Sequence, residues 1–276
     1  MKDHKTSNII KKYLYIGICL LGLAAVLEAN IATKKVLIHT IEQSRVVSMR
    51  IIKAHALIGL HNQFKDPEAN LKNDHKLLKK NIEEEIGYLR SHEDTTDKRL
   101  LPLMLAAQKH FLKLDENDLL HDARAEKAIE FFKALEKSRV NINKVAEILT
   151  REKSERDPMF YTTRISTIGQ KMAAVYLYKI WGIALPKLNE HFEMMIRKSK
   201  KSIMLLSAYI QKSGNILSPE QKDEAQKSIA TMQYHLKFFI MARNMKQFVP
   251  SLLYNKANMI EQETKKIEKL LSPLVH

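Results

Sequence analysis

The chain has 276 residues, 45% of them hydrophobic, with only seven glycines and seven prolines. This length allows a substantial core, while so little glycine argues against β-rich and dinucleotide-binding folds, which need many tight turns. The net charge is +15, but acidic residues are interleaved with the basic ones and no zinc-finger or RNA-binding motif is present. The composition therefore predicts an all-helical protein and argues against nucleic-acid binding.

An apolar segment at residues 13–32 follows a polar stretch, 1–12, that carries four lysines. The segment can cross the hydrocarbon core of a bilayer, which needs roughly 20 residues. The lysines before it favour a cytoplasmic N-terminus and a translocated C-terminal part. Cleavage as a signal peptide after small residues such as Ala29 is the alternative. We expect either a single-pass inner-membrane protein with its bulk in the periplasm or a secreted periplasmic protein.

Helical patterns fill the rest of the chain. Acidic or serine caps followed by proline, as at Asp66-Pro67, mark helix starts. Short turns between the patterns predict antiparallel neighbours in bundles. We predict eight helices after the apolar segment, over residues 33–63, 67–91, 98–114, 119–151, 157–182, 186–212, 219–247 and 250–271.

Two segments of the chain resemble each other. The run S-R-V-V-S-M-R-I-I-K-A, which contains Arg50, aligns with I-S-T-I-G-Q-K-M-A-A-V, which contains Lys171. Each run is followed, beyond a glycine, by a helix start at a proline. The duplication predicts two tandem antiparallel helical-bundle modules, 33–152 and 153–276.

Arg45 is the most unusual residue of the first helix. It lies in a seam with alternating steps of three and four residues, where an apolar residue is expected. A buried guanidinium needs an acceptor, so either an acid from a neighbouring helix or a bound anion must neutralise it. Arg50 lies about 140° farther around the helix, so it cannot share that site and is expected to be a support or interface residue.

These runs resemble a known family, the N-terminal domain of type IV pilus methyl-accepting chemotaxis transducers (PilJ-like). That family is related to the periplasmic sensor domains of nitrate/nitrite sensor kinases. The matching residues in the first run are Arg45, Ser48, Arg50 and Lys53. In and around the second run they are Arg164, Gln170, Lys171 and the stretch Y-L-Y-K-I-W-G, which includes Trp181. We call residues 44–54 the first box and residues 164–182 the second box. The stretch F-V-P-S-L-L at 248–253 resembles the family's ending.

The resemblance implies a periplasmic helical sensor module that acts as a homodimer or through a partner transducer. It places the family's anion-binding arginine on Arg45 and makes Ser48 and Arg50 further candidate ligand-binding residues. Gln43 and Ser166 stand where arginines are expected, which weakens the case for nitrate itself. We therefore expect a membrane-anchored sensory domain that reads a small anion or metabolite. The alternative is a ligand-free, membrane-tethered scaffold that docks an envelope or chemotaxis complex.

Enzymatic activity is not expected from this sequence. It contains no nucleophile elbow, P-loop or dinucleotide-binding loop. The eleven histidines form neither His-x3-His nor Glu-x-x-His pairs, so we predict no metal site and no cofactor. Trp181, with Tyr176 and Tyr178 before it, is expected to lie in the core or line a ligand pocket.

Overall fold

The computed structural model describes residues 36–122, 124–150, 158–185, 188–213, 217–242 and 249–271. All regular secondary structure within these ranges is helical, which confirms the all-α class. The predicted anchor, 13–32, and the stretch before it lie outside the described residues. None of the described helices is long and apolar enough to cross a membrane. The helices are α1 (36–59), α2 (Pro67–Ser91), α3 (Leu100–Phe111), α4 (Glu116–His121), α5 (Ala125–Thr150), α6 (Pro158–Ile180), α7 (Leu188–Lys212), α8 (Pro219–Ala242) and α9 (Pro250–Leu271).

Local capping sets several helix starts. The side chain of Asp66 accepts a hydrogen bond of 3.1 Å from the backbone N–H of Ala69, and Pro67 occupies the first turn of α2. At the start of α8, Ser218 Oγ accepts from the N–H of Gln221, whose side chain accepts from the N–H of Ser218 in return. The predicted starts at these prolines are confirmed.

One predicted helix, 119–151, is two helices in the structure. Asp115 caps α4, because its carboxylate accepts from the N–H groups of Asn117 and Asp118 at 2.8 and 3.2 Å. After six residues the chain leaves the helical conformation at Asp122, whose carboxylate accepts from the N–H of Arg124. These aspartates bond their own backbone in turn conformations, which outweighs the continuous apolar pattern.

Helices α1 and α6 lie at the centre of the fold. From residue 41 onward the described chain belongs to one compact unit, in which α6 is buried on nearly all faces. Helix α6 packs against α7 and α9, and α9 packs against α8. A Cβ placed on Gly59 at the end of α1 would lie 2.1 Å from Cζ2 of Trp181, which follows α6. The two helices are therefore in direct contact at this end.

The first and second halves of the chain share contacts within this unit. Arg50 and Lys53 of α1 bond to residues of α9, and Lys171 of α6 bonds to Glu136 of α5. The expected module boundary, at 152/153, falls outside the described residues. The division into two modules stays a prediction.

Candidate functional site

Helix α1 buries six polar or charged side chains beyond residue 40. Buried polar groups need hydrogen-bond partners, so the surrounding helices must supply them. The partners of Arg45 lie on a different side of α1 from the partners of Arg50 and Lys53. The buried polar residues of α1 beyond residue 40 are Glu42, Ser44, Arg45, Ser48, Lys53 and His55.

Arg45 is 7% exposed and is held on three sides. Its guanidinium forms an ion pair with Glu42, one turn earlier on α1, and its Nε donates to Asn143 Oδ1 of α5 at 2.7 Å. The ring centroid of Phe160 lies 5.8 Å from Arg45 Cζ. A carboxylate thus neutralises Arg45, but it comes from α1 itself rather than from a neighbouring helix. Ser48 donates to the carbonyl oxygen of Arg45 and closes its own turn of α1.

Arg164 of α6 lies against the same ring. Its Cζ is 5.7 Å from the centroid of Phe160. Burial and the positive charge of Arg45 lower the pKa of Arg164, although Glu147 opposes them. The arginines of both predicted boxes therefore meet at one phenylalanine, which the alignment of two separate copies could not show.

A polar cavity of about 220 Å³ lies between α1, α2 and α9. We call it the α1–α9 cavity. Its wall combines cations, carboxylates, amides and a tyrosine, the kind of lining that fixes a polar ligand. The lining residues that carry the argument are Arg50, Lys53, Asp74, Tyr254, Asn258 and Glu261.

Arg50 joins two carboxylates in this cavity. Its Nε donates to Asp74 of α2 at 3.0 Å, a second nitrogen bonds the same carboxylate, and Nη1 lies 3.3 Å from Glu261 of α9. Burial raises the pKa of Asp74, and the Arg50 pair offsets only part of that rise. Burial would also raise the pKa of Glu261, but Arg50 and Lys265 outweigh it and lower that pKa. Both acids are thus engaged by protein cations.

Lys53 has different partners. It is 2% exposed, its Nζ donates to Asn258 Oδ1 at 2.5 Å, and the nitrogen lies 3.9 Å above the ring centroid of Tyr254. In the described part of the chain, no carboxylate oxygen lies within 4.0 Å of this nitrogen. Burial lowers the pKa of Lys53 to about 7, because Glu261 and Asp74 compensate only partly for lost hydration.

The other residues of the second box lie in separate places. Gln170 donates to Glu261 Oε2 at 2.8 Å and so supports the wall of the α1–α9 cavity. Lys171 instead faces α5, where its Nζ donates to Glu136 at 2.7 Å beside Arg139. Burial would raise the pKa of Glu136, but these two cations lower it to about 2. Lys171 is therefore part of a helix-to-helix ion pair, away from the cavity.

Trp181 and its neighbours pack into an aromatic cluster. The ring centroids of Trp181 and Phe131 lie 5.3 and 5.4 Å from that of His55. The Nδ1 of His55 lies 2.7 Å from the hydroxyl oxygen of Tyr178, and burial lowers the pKa of His55 to about 4. This neutral, desolvated histidine belongs to the packing between α1, α5 and α6.

Lys53 was not among the residues singled out for ligand binding from the sequence, although it matches the family's first box. Its match to the first box was the sequence signal that could have identified it. Among the described residues, no group of three or more histidine, cysteine or acidic side chains could hold a metal ion.

Comparison with models of known families, with curated proteins and with solved structures finds no match to this chain. The PilJ-like assignment therefore stays a prediction based on the residues quoted above.

Proposed function

We propose that this chain is the ligand-binding part of a membrane-anchored periplasmic sensor, which binds a small anion in the α1–α9 cavity. In this proposal a partner transducer, or a second copy of the chain, transmits the bound state. The observation that supports the cavity as the site is Lys53. Its ammonium is buried beside a polar cavity and faces a neutral amide and an aromatic ring.

An anion is the ligand that complements this environment. A buried ammonium without a close counter-ion is destabilised by lost hydration, and an anion in the cavity would compensate for that loss. Asp74 and Glu261 are already engaged by Arg50, so the acids are not open positions for a metal or an amine. The volume of about 220 Å³ suits an inorganic oxyanion or a short carboxylate.

The cavity also offers a way to report the bound state. Its walls belong to α1, α2 and α9, so a ligand between them would favour one packing of these helices. Helix α1 follows the predicted anchor in the sequence. A shift of α1 against α9 is therefore the change that we propose a partner reads.

A thermal-shift screen of the full chain in detergent micelles tests this proposal. The screen uses phosphate, sulfate, nitrate, acetate and succinate at constant ionic strength. We expect at least one anion to raise the melting temperature with concentration, more at pH 6 than at pH 8, because Lys53 must be charged to bind it. The Lys53→Met variant should lose this response.

Lys171→Met is the matched control, since Lys171 is a largely buried lysine outside the cavity. It should keep the response. Equal stabilisation of wild type and Lys53→Met would contradict the site, and loss in both variants would show a general effect of removing a buried lysine.

The alternative is the scaffold function, a membrane-tethered bundle without a small ligand. The pairing of Arg45 with Glu42 and Asn143 favours it, because the first-box arginine is neutralised within the chain. Under this alternative, no anion in the screen changes the melting temperature at either pH.

A further inference from the structure

A second, larger cavity of about 620 Å³ lies between α7 and α8, with Met172 of α6 among its lining residues. We call it the α7–α8 groove. Its volume falls within the range of roughly 300 to 1,000 Å³ that is common for small-molecule sites. It is formed by other helices than the α1–α9 cavity, so the inference below does not rest on the proposed function.

The groove is elongated along α7. Its lining positions on that helix recur every three or four residues from Ile196 to Gln211, a distance of about 22 Å at ~1.5 Å per residue. The facing positions on α8 run from Gln233 to Ile240 with the same spacing. One continuous face of each helix therefore lines the groove, and a long, narrow ligand fits it better than a compact one.

The inner surface of the groove is apolar. Met172, Ile203 and Leu236 are buried beneath it, whereas Met204 is 61% exposed. An exposed methionine beside a concave apolar surface is typical of adaptable binding surfaces. The burial of hydrocarbon is therefore the main favourable contribution that the groove offers to a ligand.

Contacts near both ends of the groove fix the positions of α7 and α8. Tyr176 of α6 packs against Phe192 of α7, with ring centroids 4.8 Å apart, and donates to the carbonyl oxygen of Phe239 of α8 at 2.9 Å. Ser207 and Gln226 are hydrogen-bonded at 3.3 Å near the other end. The groove is thus fixed by contacts within the fold and does not need a ligand to form.

The charged side chains in the described lining of the groove are both positive. Its described lining includes two exposed lysines, Lys200 on α7 and Lys237 on α8, and no carboxylate. Flexible lysines can bury their methylene chains along apolar surface while the ammonium reaches solvent. A ligand with a hydrocarbon chain and an anionic head group would satisfy both parts of this lining.

We infer that the α7–α8 groove binds a single-chain amphiphile with an anionic head group, and dodecanoate represents this class in the test below. The hydrocarbon chain lies between α7 and α8 over Met172, and the anionic head group lies near Lys200 and Lys237. A neutral or cationic amphiphile of equal length gains the apolar contacts but not the ion pairs.

Photolabelling of the full chain in phosphatidylcholine nanodiscs tests this inference. The probe is dodecanoate with a terminal diazirine, and labelled peptides are located by mass spectrometry. We expect labels in α7 and α8, and we expect unlabelled dodecanoate to compete about tenfold better than dodecyltrimethylammonium. Labels confined to other helices, or equal competition by the cation, would each overturn the assignment.

Three variants separate the groove from the general surface. Lys200→Glu with Lys237→Glu should weaken competition by dodecanoate roughly five- to tenfold through lost charge pairs. Ala208→Trp should block labelling by filling the groove. Lys201→Glu changes an exposed lysine of α7 that does not line the groove, and it should leave labelling unchanged.

Circular dichroism would show whether Ala208→Trp folds. If it does not fold, the lysine variants still test the inference. Light scattering tests whether the groove is instead a contact between two copies of the chain. If the wild type is a dimer that Ala208→Trp makes monomeric, and dodecanoate does not label the groove, the groove is a contact between copies and the inference falls.

Discussion

Arg45 and Lys53 lie eight residues apart on α1 and are both buried, yet their surroundings differ. Arg45 has a carboxylate from its own helix, whereas Lys53 has an amide and an aromatic ring from α9. A neutralised buried cation is typical of a structural ion pair. A buried cation with a lowered pKa beside a polar cavity is typical of a functional site. The comparison shows that the partner, rather than the cation, distinguishes the two roles.

The second box shows the same contrast. Arg164 lies beside Arg45 on the ring of Phe160, whereas Gln170 supports Glu261 behind the α1–α9 cavity. Positions six residues apart on α6 therefore serve different regions. This separation follows from the rotation of about 100° per residue along a helix.

The largest effect is expected for Arg45→Met. Removing one member of a buried ion pair leaves Glu42 without its arginine, so the free energy of unfolding should fall by about 3 kcal/mol. Urea denaturation at pH 7 measures it. Arg164→Met is the control: Arg164 lies on the same ring but is only partly buried, and this variant should lose less than about 1 kcal/mol. Equal losses would remove the distinction that we draw for Arg45.

A smaller effect is expected for Glu85→Gln on α2, where the carboxyl group of Glu85 contacts Ser44 next to Arg45. Burial raises the pKa of Glu85 from 4.5 to about 8, although Ser44 donates to it at 2.8 Å. Between these pH values the unfolded chain loses a proton that the folded chain keeps, so wild-type stability falls as pH rises. The glutamine variant should be more stable by about 2 kcal/mol at pH 6, 1.5 units above the unfolded pKa, and equal at pH 4.

Urea denaturation across this pH range measures the difference between the two proteins. Glu83→Gln, an exposed neighbour on α2, should keep the wild-type pH dependence. If Glu85→Gln follows the wild-type curve, Glu85 titrates as an ordinary carboxyl and the Arg45 end of α1 holds no protonated acid.

The smallest effect is expected for Lys53→Met in the α1–α9 cavity. The pKa of Lys53 falls from 10.5 to about 7 on folding, so the unfolded chain binds more protons between these values. Wild-type stability should therefore rise with pH in that range, and the variant should lack this rise. At pH 8.5, two units below the unfolded pKa, removing the lysine gains about 2.7 kcal/mol. The lost bond to Asn258 offsets about 1.5 kcal/mol of this, so the variant should be about 1 kcal/mol more stable.

Melting temperatures at pH 7, 8.5 and 10 measure this slope. Lys265→Met, which removes an exposed lysine of the same cavity, should keep the wild-type rise. A rise in Lys53→Met as steep as in wild type would show that Lys53 stays charged in the folded protein and would weaken the contrast with Arg45.

Much of the helical framework could be predicted from the sequence. Proline with a preceding cap determines the starts of α2 and α8 through local hydrogen bonds. The split between α4 and α5 was missed, because Asp122 lies inside the pattern that predicts one helix over 119–151. Glu42 lies three residues before Arg45, and this spacing was a readable signal for their pairing.

The sequence by itself determined the all-helical class and the placement of Arg45 and Arg50 on different sides of α1. Both follow from local propensity and the helical repeat. Only the tertiary structure decided that Lys53 meets Asn258, 205 positions later in the chain, and that burial lowers its pKa. The reason is physical: a helical repeat fixes which residues share a face, whereas lost hydration depends on which distant helix covers that face.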